Sequence, residues 1–197
     1  CAACIGRAGE RLVNISGIAS DGLLTRIAAR CGFGAVMGSK NLKAIVIKSE
    51  KKIVKAADRD KWKAAHTKAL AEIMDERVVT SPRKGGLSVY GTNVLMNMTN
   101  VIGGLPAKNS QFTGWDQAEK VSGEFVNDNI LVDNPTCHAC PVACKKEVEI
   151  KDGPYKVDPR YGGPEYETLG TFGSYCGIDD LAAISVANQI CNEYAID

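Results

Sequence analysis

Three cysteines fall within eight residues in the stretch TCHACPVACKK, at Cys137, Cys140 and Cys144. No other feature restricts this chain as tightly. Thiols that close together are either small apolar side chains packed by coincidence or donors offered by a loop to a metal. The flanks favour the loop. Asn134 and Pro135 precede it, Lys145 and Lys146 follow it, and Pro141 biases Cys140 away from helical backbone. Zinc takes four ligands, usually gathered as two pairs, and His138 points elsewhere if its neighbour Cys137 ligates. An iron–sulfur cubane draws three thiolates from one compact loop and a fourth from a distant part of the chain. Spacing alone leaves that fourth thiol open between Cys176, Cys191 and a cysteine beyond Asp197. A second pair, Cys1 and Cys4, has the spacing of a redox dithiol, which needs a helix N-terminus to lower a thiol pKa. Here IGRAGERLVNIS follows and reads as a turn into a strand.

The 197 residues carry eight cysteines, yet 45% are hydrophobic, enough for a real core without disulfide staples. Reduced thiols in a cytoplasmic setting are the expectation. A net charge of +1 provides no electrostatic footprint for nucleic acid or an anionic membrane. No run reaches the 18 or so apolar residues of a membrane span, and no signal-peptide pattern opens the chain. The opening at Cys1 and the ending on CNEYAID predict a piece of something longer.

Along the chain, GERLVNISGIASDG predicts a strand with Leu12, Asn14 and Ser16 on one face and Val13 and Ile15 on the other. A second strand is predicted over LKAIVIKS, 42–49. Between them lies TRIAARCGFGAVMGSK, rich in Gly and Ala. Asp58 can cap a helix whose Trp62, His66, Ala69 and Ile73 share a stripe. The SPRKGG of 81–86 breaks it, a further helix is expected from about Ser88 to Val101, and GGLPAKNSQFTGWD reads as a loop. The clearest helix begins at Asp179 or Asp180 and carries Leu181, Ile184, Ala187, Cys191 and Tyr194 on one face. The fold class is α+β: a β-containing part, residues 1–50, followed by a mainly helical domain, 51–197.

With these residues in view, six ordered blocks resemble the tungsten-containing aldehyde ferredoxin oxidoreductase family. They are CIGRAGERLV, RIAARCGFGAVMGSKNLKAI, YGTNVLMNMTNVIGGLPAKN, CHACPVACKK, GPEYETLG and CGIDDLAAISVANQICNEYAID. The resemblance implies a much longer chain, in which residues 1–50 end an N-terminal β-sandwich and 51–197 form most of a helical domain. It implies a tungsten or molybdenum bis-pterin beside one 4Fe-4S cluster, with Mg2+ bridging the pterin phosphates. Cys137, Cys140 and Cys144 become three cluster ligands, the fourth lying downstream, and Cys176 and Cys191 become structural. The cofactor contacts fall on Arg26, Ile27, Ala29 and Arg30, and on Asn192, Ile196 and Asp197. Guanidiniums suit phosphates through paired, charge-assisted hydrogen bonds, and a carboxylate suits pterin N–H groups. The family commonly shows Gly where Ala29, Cys31 and Ala195 stand here. Glu167 is the implied catalytic carboxylate, positioning or deprotonating water near the metal, with a pKa raised by burial beside an anionic cofactor. Glu165 is implied to be structural, and Val186 replaces a glutamate that holds a bridging iron in some members.

The implied reaction oxidises an aldehyde to a carboxylic acid and passes electrons through the cluster to ferredoxin. Lys145 and Lys146 are candidates for docking an acidic ferredoxin, although such a pair also suits a plain solvated face. A homodimer or a partner electron-transfer subunit stays open. A relative acting on another substrate is the alternative: a carboxylic acid, a hydroxyacid or an aromatic ring. A non-catalytic zinc or iron–sulfur module would need a local fourth ligand and no pterin contacts.

Overall fold

The computed structural model describes residues 1–20, 26–50, 54–75, 77 and 79–197. Four short strands form an antiparallel sheet in the order β3-β2-β1-β4: β1 Ala2–Ile5, β2 Ile18–Ser20, β3 Arg26–Ala28 and β4 Ala44–Val46. Cys4 pairs with Ala19 on one side and Ala44 on the other, and Ser20 pairs with Arg26. Helix α1 (Arg7–Glu10) follows β1, and α2 (Phe33–Ser39) fills the connection from β3 to β4.

The glycines of that connection act in packing. A Cβ at Gly38 would lie 2.0 Å from the Gly9 carbonyl oxygen, and one at Gly34 would lie 2.5 Å from that of Gly17. Only hydrogen fits where α2 rests on α1 and on the turn before β2. Gly38→Ala is therefore expected to destabilise the protein by about 1–3 kcal/mol, the usual cost of overpacking, read as a lower urea midpoint at unchanged slope.

The strand expected from residue 9 is corrected. Its first residues belong to α1 and to the turn that ends it, and pairing starts only at Ile18. The Val13 amide bonds to the Ala8 carbonyl at 3.0 Å and the Leu12 amide to that of Gly9 at 3.1 Å. With Leu12 at φ 59°, this is a Schellman stop in which leucine takes the position glycine usually fills. Leu12, Val13 and Ile15 are exposed, whereas Ser16 is buried, so the alternation had no sheet behind it. The last two residues of the expected strand lie outside the described ones. The second predicted strand is present as β4.

The helical part starts with α3 (Arg59–Met74), capped by Asp58, whose carboxylate accepts from the amides of Asp60 and Lys61. Its predicted stripe faces no core: none of its residues is buried, and Trp62 stacks on His66 with ring centroids 5.1 Å apart. The helix expected over 88–101 is broken into α4 (Gly86–Tyr90), a 3-10 turn (Gly91–Val94) and α5 (Leu95–Val101). The break falls at Gly91, at φ +64°, where a Cβ would stand 2.7 Å from the carbonyl oxygen of Cys144. The cysteine loop passes against that glycine.

Then come α6 (Gly123–Asn129), the β5 (Leu131–Asp133) and β6 (Glu147–Val148) ribbon, α7 (Tyr166–Thr168) and α8 (Leu181–Tyr194). Asp180 caps α8 through the amides of Ala182 and Ala183, as expected. One core holds these elements together, with Met96, Leu105, Val121, Val126, Val148, Leu169 and Ile184 fully or almost fully enclosed. No described helix is long and apolar enough to cross a membrane.

The two parts meet at the chain end. Asp197 donates its amide to Ile15 at 2.9 Å, and Gly17 donates to Ala195 at 2.7 Å. Ser16 and Ile196 thereby form an antiparallel bridge. This clamp brings the turn after α8 beside β3.

Candidate active site

Where β3, the cysteine loop and α8 converge, they enclose a cavity of about 650 Å³. From the β3 side come Arg26, Ile27, Ala29 and Arg30. From the end of α8 and the clamp come Asn192, Ile196 and Asp197. Glu167 enters from α7, and Cys137 and Cys144 from the cysteine loop. All but one of the residues given a catalytic, cofactor or cluster role by the resemblance therefore share one space, across more than 170 positions of chain (Arg26 to Asp197). Cys140 is the exception; it is half-buried and does not line the cavity.

The cysteine loop is turned twice by alanines in left-handed backbone, Ala139 at φ 56° and Ala143 at φ 53°. The Cys140 amide closes a turn on the Cys137 carbonyl at 3.0 Å, and Thr136 donates its hydroxyl to the Cys140 carbonyl. Burial, followed by the nearby Glu165 carboxylate, pushes the Cys144 thiol above its ordinary pKa. Among the described residues, no three His, Cys, Asp or Glu side chains converge at metal-binding distance. The donor set nevertheless suits a cluster, because two of its three thiols face the cavity and a cation already addresses one of them. Arg26 donates from Nε to Cys137 Sγ at 3.2 Å. The Arg26 guanidinium thus joins β3 to the cysteine loop across the cavity.

Two of the positions where the resemblance implies glycine have the backbone glycine prefers. Cys31 has φ 75° and Ala195 φ 53°, the latter ending α8 as a left-handed cap. Ala29, at φ −78°, has no such need. Non-glycine residues in this region cost about 1–2 kcal/mol, offset by the entropy glycine loses on folding. Exposed Cys31→Gly is expected to raise stability by about 0.5–1 kcal/mol, seen as a higher thermal midpoint. Ala195 buries its methyl at 2% exposure, so the same change there gains less.

At the α8 end, Asn192 donates its amide to the Tyr161 carbonyl at 2.7 Å. Asp197 faces Arg30 across 4.0 Å, a loose pair in which both side chains are well exposed. Such a pair holds little energy and leaves both groups free to turn toward a ligand. Glu167 is exposed, which departs from the burial expected of it.

The sequence reading missed several walls of this space. Leu169–Ser174 is a π-helix, with Tyr175 bonding back to Gly170 at 2.8 Å, and it carries Thr171 and Phe172 to the cavity. Wide turns of this kind cluster at functional sites; the glycines in TLGTFGS were the one available signal. Glu165 also lines the cavity, its carboxylate accepting from Thr92 Oγ1 at 2.6 Å. Cys176 and Cys191 line it too. The lysine pair is corrected. Lys146 is 3% exposed, its ammonium bonded to the Ser88 carbonyl at 2.7 Å and to Asn134 Oδ1. Lys145 turns into the cavity. Neither presents a solvated docking face.

Residues 65–197 match the family described as aldehyde ferredoxin oxidoreductase, domains 2 and 3, and residues 1–49 match its N-terminal domain. The chain belongs to the aldehyde ferredoxin oxidoreductase family. It is 40% identical over 198 aligned residues to the tungsten-containing aldehyde ferredoxin oxidoreductase of Pyrococcus furiosus, covering 99% of this chain and 30% of that protein. The Thermococcus kodakarensis counterpart is 38% identical with the same coverage. A more distant family relative is the WOR-like subunit of an aliphatic sulfonate oxidoreductase from Pyrococcus furiosus, 28% identical over 98% of this chain and 29% of that one. The solved BamBC active-site complex of benzoyl coenzyme A reductase, with bound 1,5-dienoyl-CoA, shares the fold. Its TM-score is 0.68 at 23% identity, covering 100% of this chain and 29% of that one. The chain thus spans about 30% of the length of these curated family members.

Proposed function

We propose that this chain is part of an oxidoreductase that converts an aldehyde and water to a carboxylic acid and delivers the electrons to a ferredoxin. The observation that carries the reading is the shared cavity: two arginines, a carboxylate and two cluster-type thiols, gathered from distant segments, face one volume. A bound tungsten or molybdenum bis-pterin would supply the two-electron acceptor, and a 4Fe-4S cluster the one-electron exit.

Each residue then has a defined task. Arg26 and Arg30 would hold the pterin phosphates together with Mg2+, through charge-assisted hydrogen bonds. Ile27 and Ile196 contribute backbone groups, and Ala29 is small enough to allow close approach. Asn192 and Asp197 accept hydrogen bonds from pterin N–H groups. Glu167 would orient the attacking water and take its proton at a carboxylate oxygen. Cys137, Cys140 and Cys144 supply three cluster thiolates. In the longer protein, residues 1–50 belong to the cofactor-binding N-terminal domain and 51–197 to the helical domain.

Metal content and substrate test this together. The natural-length protein, purified anaerobically, is expected to hold about four irons and one tungsten or molybdenum, and to reduce ferredoxin only when an aldehyde is present. Zinc, or iron without either heavy metal, would point to a metal-binding module instead. The 28% identity to a sulfonate oxidoreductase subunit supports a second reading, the same cavity serving another substrate. Full metal content with reduction by a sulfonate or hydroxyacid, and not by aldehydes, would favour it.

A further inference from the structure

Lys145 directly follows the third thiol of the cysteine loop, but it does not run out to solvent. It lines the cavity with Cys137, Cys144 and Glu165. The end of the side chain passes beside Gly162, which sits at φ +72°: a Cβ there would come within 2.6 Å of Lys145 Cε and 3.0 Å of Nζ.

The charges around it are laid out by sign. Arg26, Glu165 and the thiols of Cys137 and Cys144 line the same cavity as Lys145. Glu165 is held in place by Thr92, whose hydroxyl donates to it and accepts from the Tyr166 amide at 2.9 Å. Lys146, one residue on, is directed to Ser88 and Asn134. Of the two lysines, Lys145 is the one facing the thiols from inside the cavity.

We propose that Lys145 sets the reduction potential of the cluster held by this loop, with Glu165 as its counter-charge. The proposal rests on the reading of Cys137, Cys140 and Cys144 as cluster ligands. Adding one electron to a cluster adds one negative charge, and a fixed cation in a poorly screened site favours the reduced state. Removing the cation lowers the potential, and removing the neighbouring anion raises it. Lys145 acts through the cluster and touches neither substrate nor the reacting atoms, so it is a positioning charge and not a catalytic residue.

The test uses the natural-length protein, purified anaerobically, with Lys145→Met, Lys145→Arg and Glu165→Gln variants. Iron per chain and the electron paramagnetic resonance of the reduced protein establish whether the cluster is present. Dye-mediated redox titration at one pH then gives its midpoint potential. The expected result is a downward shift for Lys145→Met, an upward shift for Glu165→Gln, and recovery toward the parent value in Lys145→Arg. A full cluster at unchanged potential in Lys145→Met, or both charge removals moving it the same way, would overturn the proposal. If Lys145→Met loses iron, the other two variants decide: an unmoved Glu165→Gln potential overturns it, and a raised one beside a parent-like Lys145→Arg supports it. Parent protein without iron would instead refute the cluster reading, and the proposal with it.

Discussion

Glu167→Gln is expected to lower kcat for aldehyde oxidation by about 10²–10⁴-fold, the range a positioned proton acceptor contributes, while tungsten and iron contents stay at the parent level. The substitution preserves shape and removes the proton-accepting oxygen charge. Glu167 is the middle residue of the short helix α7, and the Thr171 hydroxyl donates to its carbonyl at 2.7 Å. That bond uses the main-chain oxygen of Glu167, so the backbone placement survives the change. Gln still accepts a hydrogen bond from water but does not take its proton, so the loss belongs in kcat more than in KM. Steady-state kinetics beside metal analysis check this. A variant retaining most of its kcat would move the proton transfer to another group.

Cys137→Ser has the larger structural effect. Iron is expected to fall from about four per chain to a small fraction, with loss of electron delivery to ferredoxin. The serine hydroxyl is a poor substitute for thiolate at iron and also a different partner for Arg26, whose Nε now donates to the sulfur. Cys176→Ser is the matched comparison. Cys176 lines the same cavity, and on the proposed reading, in which the fourth ligand comes from elsewhere in the longer protein, its replacement leaves the iron content intact. Iron assay of both variants decides. Iron loss on changing Cys176 would make it the fourth ligand and place a complete cluster site within these residues.

Much of this arrangement was legible because short patterns carried it. Asp58 and Asp180 each stand before an amphipathic run, and both cap helices through paired amides. The spacing of the thiols suggested a metal-binding loop, whereas Arg26 and Arg30 took a role only from the family resemblance. The failures came where neighbours distant in sequence decide. Leu12, Val13 and Ile15 alternate like a strand, yet Leu12 closes a helix and the side chains stay in solvent. Trp62, Ala69 and Ile73 read as a core stripe on a helix that buries nothing. Lys146 reads as surface and is almost wholly enclosed, because Ser88 and Asn134 meet its ammonium. The glycines of CGFGAVMG gave no sign of their packing partners, yet Gly34 and Gly38 let one helix rest on another backbone.

The clamp between Ile15–Gly17 and Ala195–Asp197 also bears on biosynthesis. Its two halves leave the ribosome about 180 residues apart, which at 5–20 residues per second means roughly 9–36 s between them. Throughout that interval Arg26 and Arg30 have no α8 turn opposite them, and the cysteine loop completes its synthesis before the cavity can close. The anionic cofactor that the proposed function assigns to this cavity would find its seat only after Asp197 has emerged and joined Ile15. Its loading would then fall late, on a chain whose thiols have already been exposed to the cell for several seconds.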